Sequence, residues 1–109
     1  MTAVLFLLQR ASAAFLALAV VVHLAAILYA VRGGLTAGEI LARTQGNPAY
    51  LTFYLLFVVA VAIHAPIGLR NVLREWLGWQ GGACDGALAV FSFVLLALGI
   101  RAVTALYLA

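Results

Sequence analysis

Three apolar runs of about twenty residues, near 11–31, 50–70 and 86–108, constrain this chain more than any other feature. Arg10 and Arg32 bracket the first, and Arg70 and Arg74 close the second. At 1.5 Å of rise per residue, runs of this length match a hydrocarbon core of roughly 30 Å. Lipid offers no hydrogen bonds to the backbone, so each run must satisfy its own amides as a helix. Three crossings use up most of the 109 residues. The expectation is one membrane domain over 1–109, an all-α transmembrane three-helix bundle with short interfacial helices.

Composition excludes the alternatives. Only 8% of the residues are charged, against about 25% in soluble domains, too few to cover a water-soluble globule. The six basic residues are all Arg, with no basic cluster interleaved with exposed aromatics, so nucleic acid is not a partner. Cys84 stands alone, which excludes an internal disulfide or a Cys-x-x-Cys zinc or redox site. Arg10, Arg70 and Arg74 fall on one side of the membrane, and Arg32 and Arg43 on the other. That count leans to a cytoplasmic N-terminus.

Between the spans, Thr36 followed by Glu39 is a capping-box spacing and predicts a short surface helix over 36–44, broken by Gly46-Asn47-Pro48. The second connection carries Trp76 and Trp79, residue types that belong at headgroup level. Thr2 to Leu8 is apolar but too short to span, and is expected to lie on the membrane as a separate helical start.

Ionisable residues within spans are costly, and here they are His23, His64 and Arg101. No span holds a carboxylate, which argues against an ion-coupled transporter. A neutral imidazole is a good axial ligand for haem iron. The ordinary alternative is a hydrogen bond between helices. For His64, Gly68 lies one turn away on the same face and leaves room for a flat macrocycle. Arg70 follows six residues on, roughly 9 Å along the axis, where haem propionates would emerge. Pro66 should kink the helix near Ala62. His23 has only Ala19, Ala26 and Ile27 beside it, and both readings stay open for it. The two histidines differ in depth by about 10 Å, which separates them onto different partners. Arg101 is expected to snorkel to the far interface, the alternative being a propionate partner.

The chain resembles the cytochrome b membrane-anchor subunit of succinate dehydrogenases and fumarate reductases. The resemblance rests on Gln9-Arg10-Ala11-Ser12 opening the first span, and on His64, Gly68 and Arg70 in a His-x3-Gly-x-Arg element closing the second. It covers all three spans in length and order. It implies that His64 is the axial ligand of haem b and that Arg10 lies between a quinone site and the haem propionates. Ser12 would be the small hydroxyl residue beside that arginine, and Arg70 the arginine nearest the soluble subunits. The chain departs from the family pattern at Gln9, often histidine, at Ala13, usually glycine, and at Phe6, which falls where some members have a quinone-contacting serine.

The resemblance further implies a subunit without dicarboxylate chemistry of its own, since no flavin motif or iron–sulfur cysteine set is present. Flavoprotein and iron–sulfur subunits would bind to it, with a second membrane-anchor chain or a copy of itself, in a bacterial inner membrane. Its cofactor would be one haem b at His64, or two with His23 ligating a second haem shared with a partner chain, and quinone would be the substrate. The alternatives are an anchor for another flavoprotein dehydrogenase and a haem-free assembly subunit.

Overall fold

The computed structural model describes residues 2–109. The elements are α1 (Ala3–Gly33), α2 (Ala37–Thr44), α3 (Pro48–Val72), a π-helical turn (Leu73–Leu77) and α4 (Gly82–Leu108). Three helices are long and apolar enough to cross a membrane: Ala3–Gly33, Pro48–Leu77 and Gly82–Leu108. The bundle measures 48 × 23 × 22 Å, its long axis matching the roughly 46 Å of a 31-residue helix. α3 is the centre and packs against both α1 and α4.

Small residues make up more than half of the buried apolar core, Ala19, Ala60, Ala62 and Cys84 beside Ile67, Leu88 and Val103, while many Leu, Val and Phe side chains face outward. Lipid tails are as apolar as leucine, so burying large apolar groups gains little in a membrane, and close backbone approach gains more. Gly99 of α4 shows this at its tightest. A Cβ there would stand 2.5 Å from Val58 Cγ1 and 2.8 Å from Cγ2 of α3.

Pro66 sits inside α3 and is buried. Having no N–H, it leaves the Ala62 carbonyl, four residues back, without its helical donor. Ser92 of α4 supplies the missing bond, its Oγ donating to Ala62 O at 2.6 Å. The helix runs unbroken through this point, and the same bond ties α3 to α4.

The distal end is closed by capping. Thr36 and Glu39 form the capping box expected from their spacing. The Thr36 hydroxyl, and then its backbone N–H, hold the Glu39 carboxyl below the usual 4.5. Arg43 Nη2 donates to Gly34 O at 2.6 Å. Gly34 has φ 112°, and a Cβ there would fall on the Glu39 carboxylate, so this corner requires glycine. Thr44 Oγ1 donates to Leu106 O at 3.0 Å, and Gly46 N to Tyr107 O at 3.0 Å. These bonds satisfy carbonyls at the C-terminus of α4 that have no donor of their own. Asn47 caps α3 by accepting from Ala49 N and Tyr50 N, with Pro48 at the first helical position.

Two expectations are corrected. Thr2 to Leu8 is not a separate interfacial segment. Thr2 is the cap of α1, accepting from Leu5 N at 3.2 Å, and the helix continues from Ala3. No Gly or Pro interrupts residues 3–32, and adding residues to a helix already begun costs far less than starting one. The second connection is also shorter than expected, because helical structure continues past Arg70 through the π-turn until Gly78, at φ 64°, ends it.

Candidate functional site

α1 rises and α3 returns, so the start of α1 and the end of α3 share one end of the bundle. Contact proves the register. Gln9 Nε2 of α1 stands 3.4 Å from where a Gly68 Cβ would be, an ordinary van der Waals distance. Gly68 therefore admits the Gln9 amide against the α3 backbone. His64, Gly68 and Asn71 recur at four- and three-residue steps and share this face of α3.

This end collects the bundle's unanswered polar groups. Gln9 Oε1, His64 Nδ1, Arg70 Nη1 and Asn71 Oδ1 are buried without a hydrogen-bond partner among the described residues. Each such group costs about 1–3 kcal/mol. Four together approach the whole stability of a small domain, about 5–15 kcal/mol. Their gathering at one end, with none elsewhere among the described side chains, marks a place where something outside this chain completes the hydrogen bonding.

Arg70 lies about 120° round α3 from the His64 face. Its Nε donates to Asp85 Oδ1 at 3.2 Å, in the first turn of α4. Asp85 is more than half exposed, so the pair contributes about 1 kcal/mol or less, and its effect is to aim the guanidinium. A cleft of about 260 Å³ beside the pair is lined by Leu5, Pro66, Ile67 and Leu88.

Arg10 points away from the bundle, exposed, with its guanidinium 5.7 Å from the Phe6 ring centroid. Ser12 is buried, and its Oγ donates to Gln9 O at 3.1 Å. It lines a second, apolar cleft of about 180 Å³ with Leu8, Phe15, Ala60 and Ile63. Of the expected site residues, Ser12 meets Ala60 and Ile63 across the α1–α3 seam, Gly68 meets Gln9 there, His64 shares the Gly68 face of α3, Arg70 turns toward α4, and Arg10 faces outward.

His23 lies elsewhere. Its Nδ1 is 3.0 Å from Tyr54 Oη, a hydrogen bond joining α1 to α3, and its ring packs edge-on against Tyr54 and Phe57. Tyr54 precedes His64 by ten residues, about 15 Å along the axis. The two imidazoles are too far apart to share one iron ion. Arg101 is exposed on the outer surface of α4.

Reading the sequence overlooked the roles of Gln9, Asp85, Tyr54 and Ser92. Asp85 carried a usable signal, being one of only three acids in the chain and falling where a span begins. Tyr54 carried none beyond being aromatic.

Among the described residues, no three His, Cys, Asp or Glu side chains converge as a metal site. No curated protein and no solved structure matches the chain. A family model described as the succinate dehydrogenase/fumarate reductase transmembrane subunit matches residues 1–101. With three membrane-spanning helices in the expected order and a polar cluster closing one end, the chain belongs to the family of transmembrane subunits of succinate dehydrogenase and fumarate reductase.

Proposed function

We propose that this chain is the haem b-binding membrane-anchor subunit of a succinate:quinone oxidoreductase. It would hold flavoprotein and iron–sulfur subunits at the His64 end and take part in passing their electrons to quinone. The observation that carries the proposal is the buried, unpartnered His64 Nδ1 within a polar cluster at one end of the bundle.

The residues fit haem b. His64 offers an imidazole with no hydrogen bond at Nδ1, and Arg70 has a donor to spare for a propionate. Haem b, when bound, supplies one-electron redox chemistry. The chain's residues do the rest. His64 would hold the iron at its depth in α3, with the Ser92 bond to Ala62 fixing that turn against α4. Asp85 aims Arg70. Gln9 bounds the Gly68 face and limits how a cofactor enters from α1. Arg10, exposed on the outer face of α1 at the same end, would position a quinone headgroup held between this chain and a partner, by donating to a carbonyl oxygen whose negative charge grows on reduction. Ser12, on the opposite face, would support that turn of α1 through its bond to Gln9 O.

We take one haem, at His64, as the reading for this chain; the Tyr54 hydroxyl gives His23 a role between helices at Nδ1 but leaves Nε2 free, so the haem count and not this bond decides between one haem and two. A second membrane chain, or a copy of this one, would complete the haem pocket, with His64 of this chain holding the group from α3. We place the N-terminus and the soluble subunits on the cytoplasmic side of a bacterial inner membrane.

The test is the composition of the purified complex. The proposal expects co-purified flavin and iron–sulfur chains, and one haem per membrane unit by pyridine haemochrome, unchanged by His23→Ala. Two haems, one lost with His23→Ala, would restore the two-haem reading. No haem at all would favour an assembly subunit.

A further inference from the structure

Tyr54 and His23 fix each other's protons. The Tyr54 hydroxyl has one hydrogen-bond partner among the described residues, His23 Nδ1 at 3.0 Å. A phenolic O–H held between helices needs an acceptor, so Tyr54 donates and Nδ1 accepts. A neutral imidazole that accepts at one nitrogen carries its proton on the other. His23 therefore holds an N–H at Nε2, which has no partner and is not sealed from the surface.

His23 lines a cleft of about 470 Å³ at the end of the bundle opposite His64, together with Tyr50, Tyr54, Ile27, Ile40 and Leu106. That volume lies within the roughly 300–1,000 Å³ of small-molecule sites. The other hydroxyls beside it are committed: Tyr50 Oη donates to Val103 O at 3.5 Å, and Thr44 Oγ1 to Leu106 O at 3.0 Å. At the mouth, Arg43 donates from Nη2 to Gly34 O, and the Glu39 carboxylate lies against Gly34 and balances the charge. The cleft therefore suits a neutral occupant with an acceptor at its inner end. His23 precedes Gly33, the last residue of α1, by ten residues, about 15 Å along the axis. Phospholipid ester carbonyls stay at the membrane boundary, half a hydrocarbon core away from that depth. The Tyr50 and Tyr54 rings, with centroids 5.1 Å apart, offer a wall on which a flat ring can pack.

We propose that this cleft binds a neutral, membrane-soluble ring compound of the quinone class, with one ring carbonyl accepting from His23 Nε2 and the rest of the molecule against Ile27, Ile40 and Leu106. The single donor at its inner end selects the oxidised ring. A quinone carbonyl accepts the Nε2 proton, whereas a quinol hydroxyl brings a proton of its own and finds no acceptor there. The site lies at the far end of the bundle from Arg10 and His64. It depends neither on the quinone position at Arg10 nor on haem.

The experiment labels the intact complex in nanodiscs with a short-tailed benzoquinone bearing a photoactivatable azide, and maps the labelled peptides. Label should fall on the segments of Ile27 and of Tyr50 and Tyr54, and excess unlabelled quinone should suppress it more strongly than the matching quinol. His23→Phe keeps a ring but loses the donor, and should weaken labelling there about fivefold. Ile27→Trp, which fills the cleft, should abolish it. Nitrogen-15 NMR of the full chain with labelled histidine should find His23 protonated at Nε2 and not at Nδ1. If His23→Phe fails to fold, Ile27→Trp, on an exposed residue, decides the matter. Mapping separates the two ends of the bundle, so label confined to the Arg10 end overturns this site and leaves the quinone position there standing. A proton on Nδ1, iron bound at His23, equal suppression by quinone and quinol, or labelling indifferent to Ile27→Trp also overturns the proposal.

Discussion

Ser92→Ala should destabilise the bundle through a carbonyl it does not own. Pro66 strips the Ala62 carbonyl of its helical donor, and Ser92 Oγ replaces it at 2.6 Å. Without Ser92 that carbonyl is unsatisfied in a medium with no water. An unsatisfied buried acceptor costs about 1–3 kcal/mol, while hydrogen bonds between membrane helices average about 0.6 and reach about 1.7 kcal/mol. The short distance and the absence of a competing donor place Ser92→Ala near the top of the second range, at about 1.5 kcal/mol. Pro66→Ala restores the N–H that Ala62 lost, so in that background Ser92→Ala should cost less than about 0.5 kcal/mol. Reversible unfolding in mixed micelles, run as a double-mutant cycle, should return a coupling of about 1 kcal/mol. Additive effects of the two substitutions would refute the reasoning.

Gly99→Ala should destabilise by about 1–3 kcal/mol through overpacking, because the new Cβ meets Val58 at 2.5 Å. Val58→Ala should recover most of the loss in the same unfolding assay. Tyr54→Phe removes the partner of His23 Nδ1 and should cost about 1 kcal/mol, leaving the haem absorption bands unchanged. The Glu39 carboxyl should titrate below 4.5 when followed by carbon-13 NMR, and Thr36→Ala should raise it toward that value. Because the folded value is depressed, its support for α2 is complete above the unfolded value and is lost as pH falls through the folded one. Asp85→Asn should loosen Arg70 and, with haem held at His64 as proposed, shift its reduction potential by removing a negative charge from the His64 end of the bundle, which potentiometric titration would measure.

The spans were legible because lipid imposes length and apolarity on every helix that crosses it, and nothing else in 109 residues explains three such runs. The capping box at Thr36 and Glu39 was legible because its chemistry is local, three residues apart. What the sequence hid is long-range. Ser92 lies 30 residues from Ala62, and Tyr54 lies 31 from His23, so only the packing of one helix on another pairs them. Gln9 reads as a departure from the family pattern until α1 is laid beside Gly68. Arg70 was placed at its end of the bundle by sequence, but its turn toward Asp85 depends on the angle at which α4 approaches. The continuity of α1 from its Thr2 cap is signalled only by the lack of any Gly or Pro before Gly33, a weaker mark than the length that a span requires.

The central claim is that His64 ligates haem b. Its most direct test is the reduced-minus-oxidised absorption spectrum of the intact complex carrying His64→Gly, recorded with and without added imidazole. The account predicts that the low-spin b-type band is lost or strongly altered in the variant and returns when imidazole occupies the space left by the side chain. A band identical to that of the unaltered complex, with no response to imidazole, would contradict it.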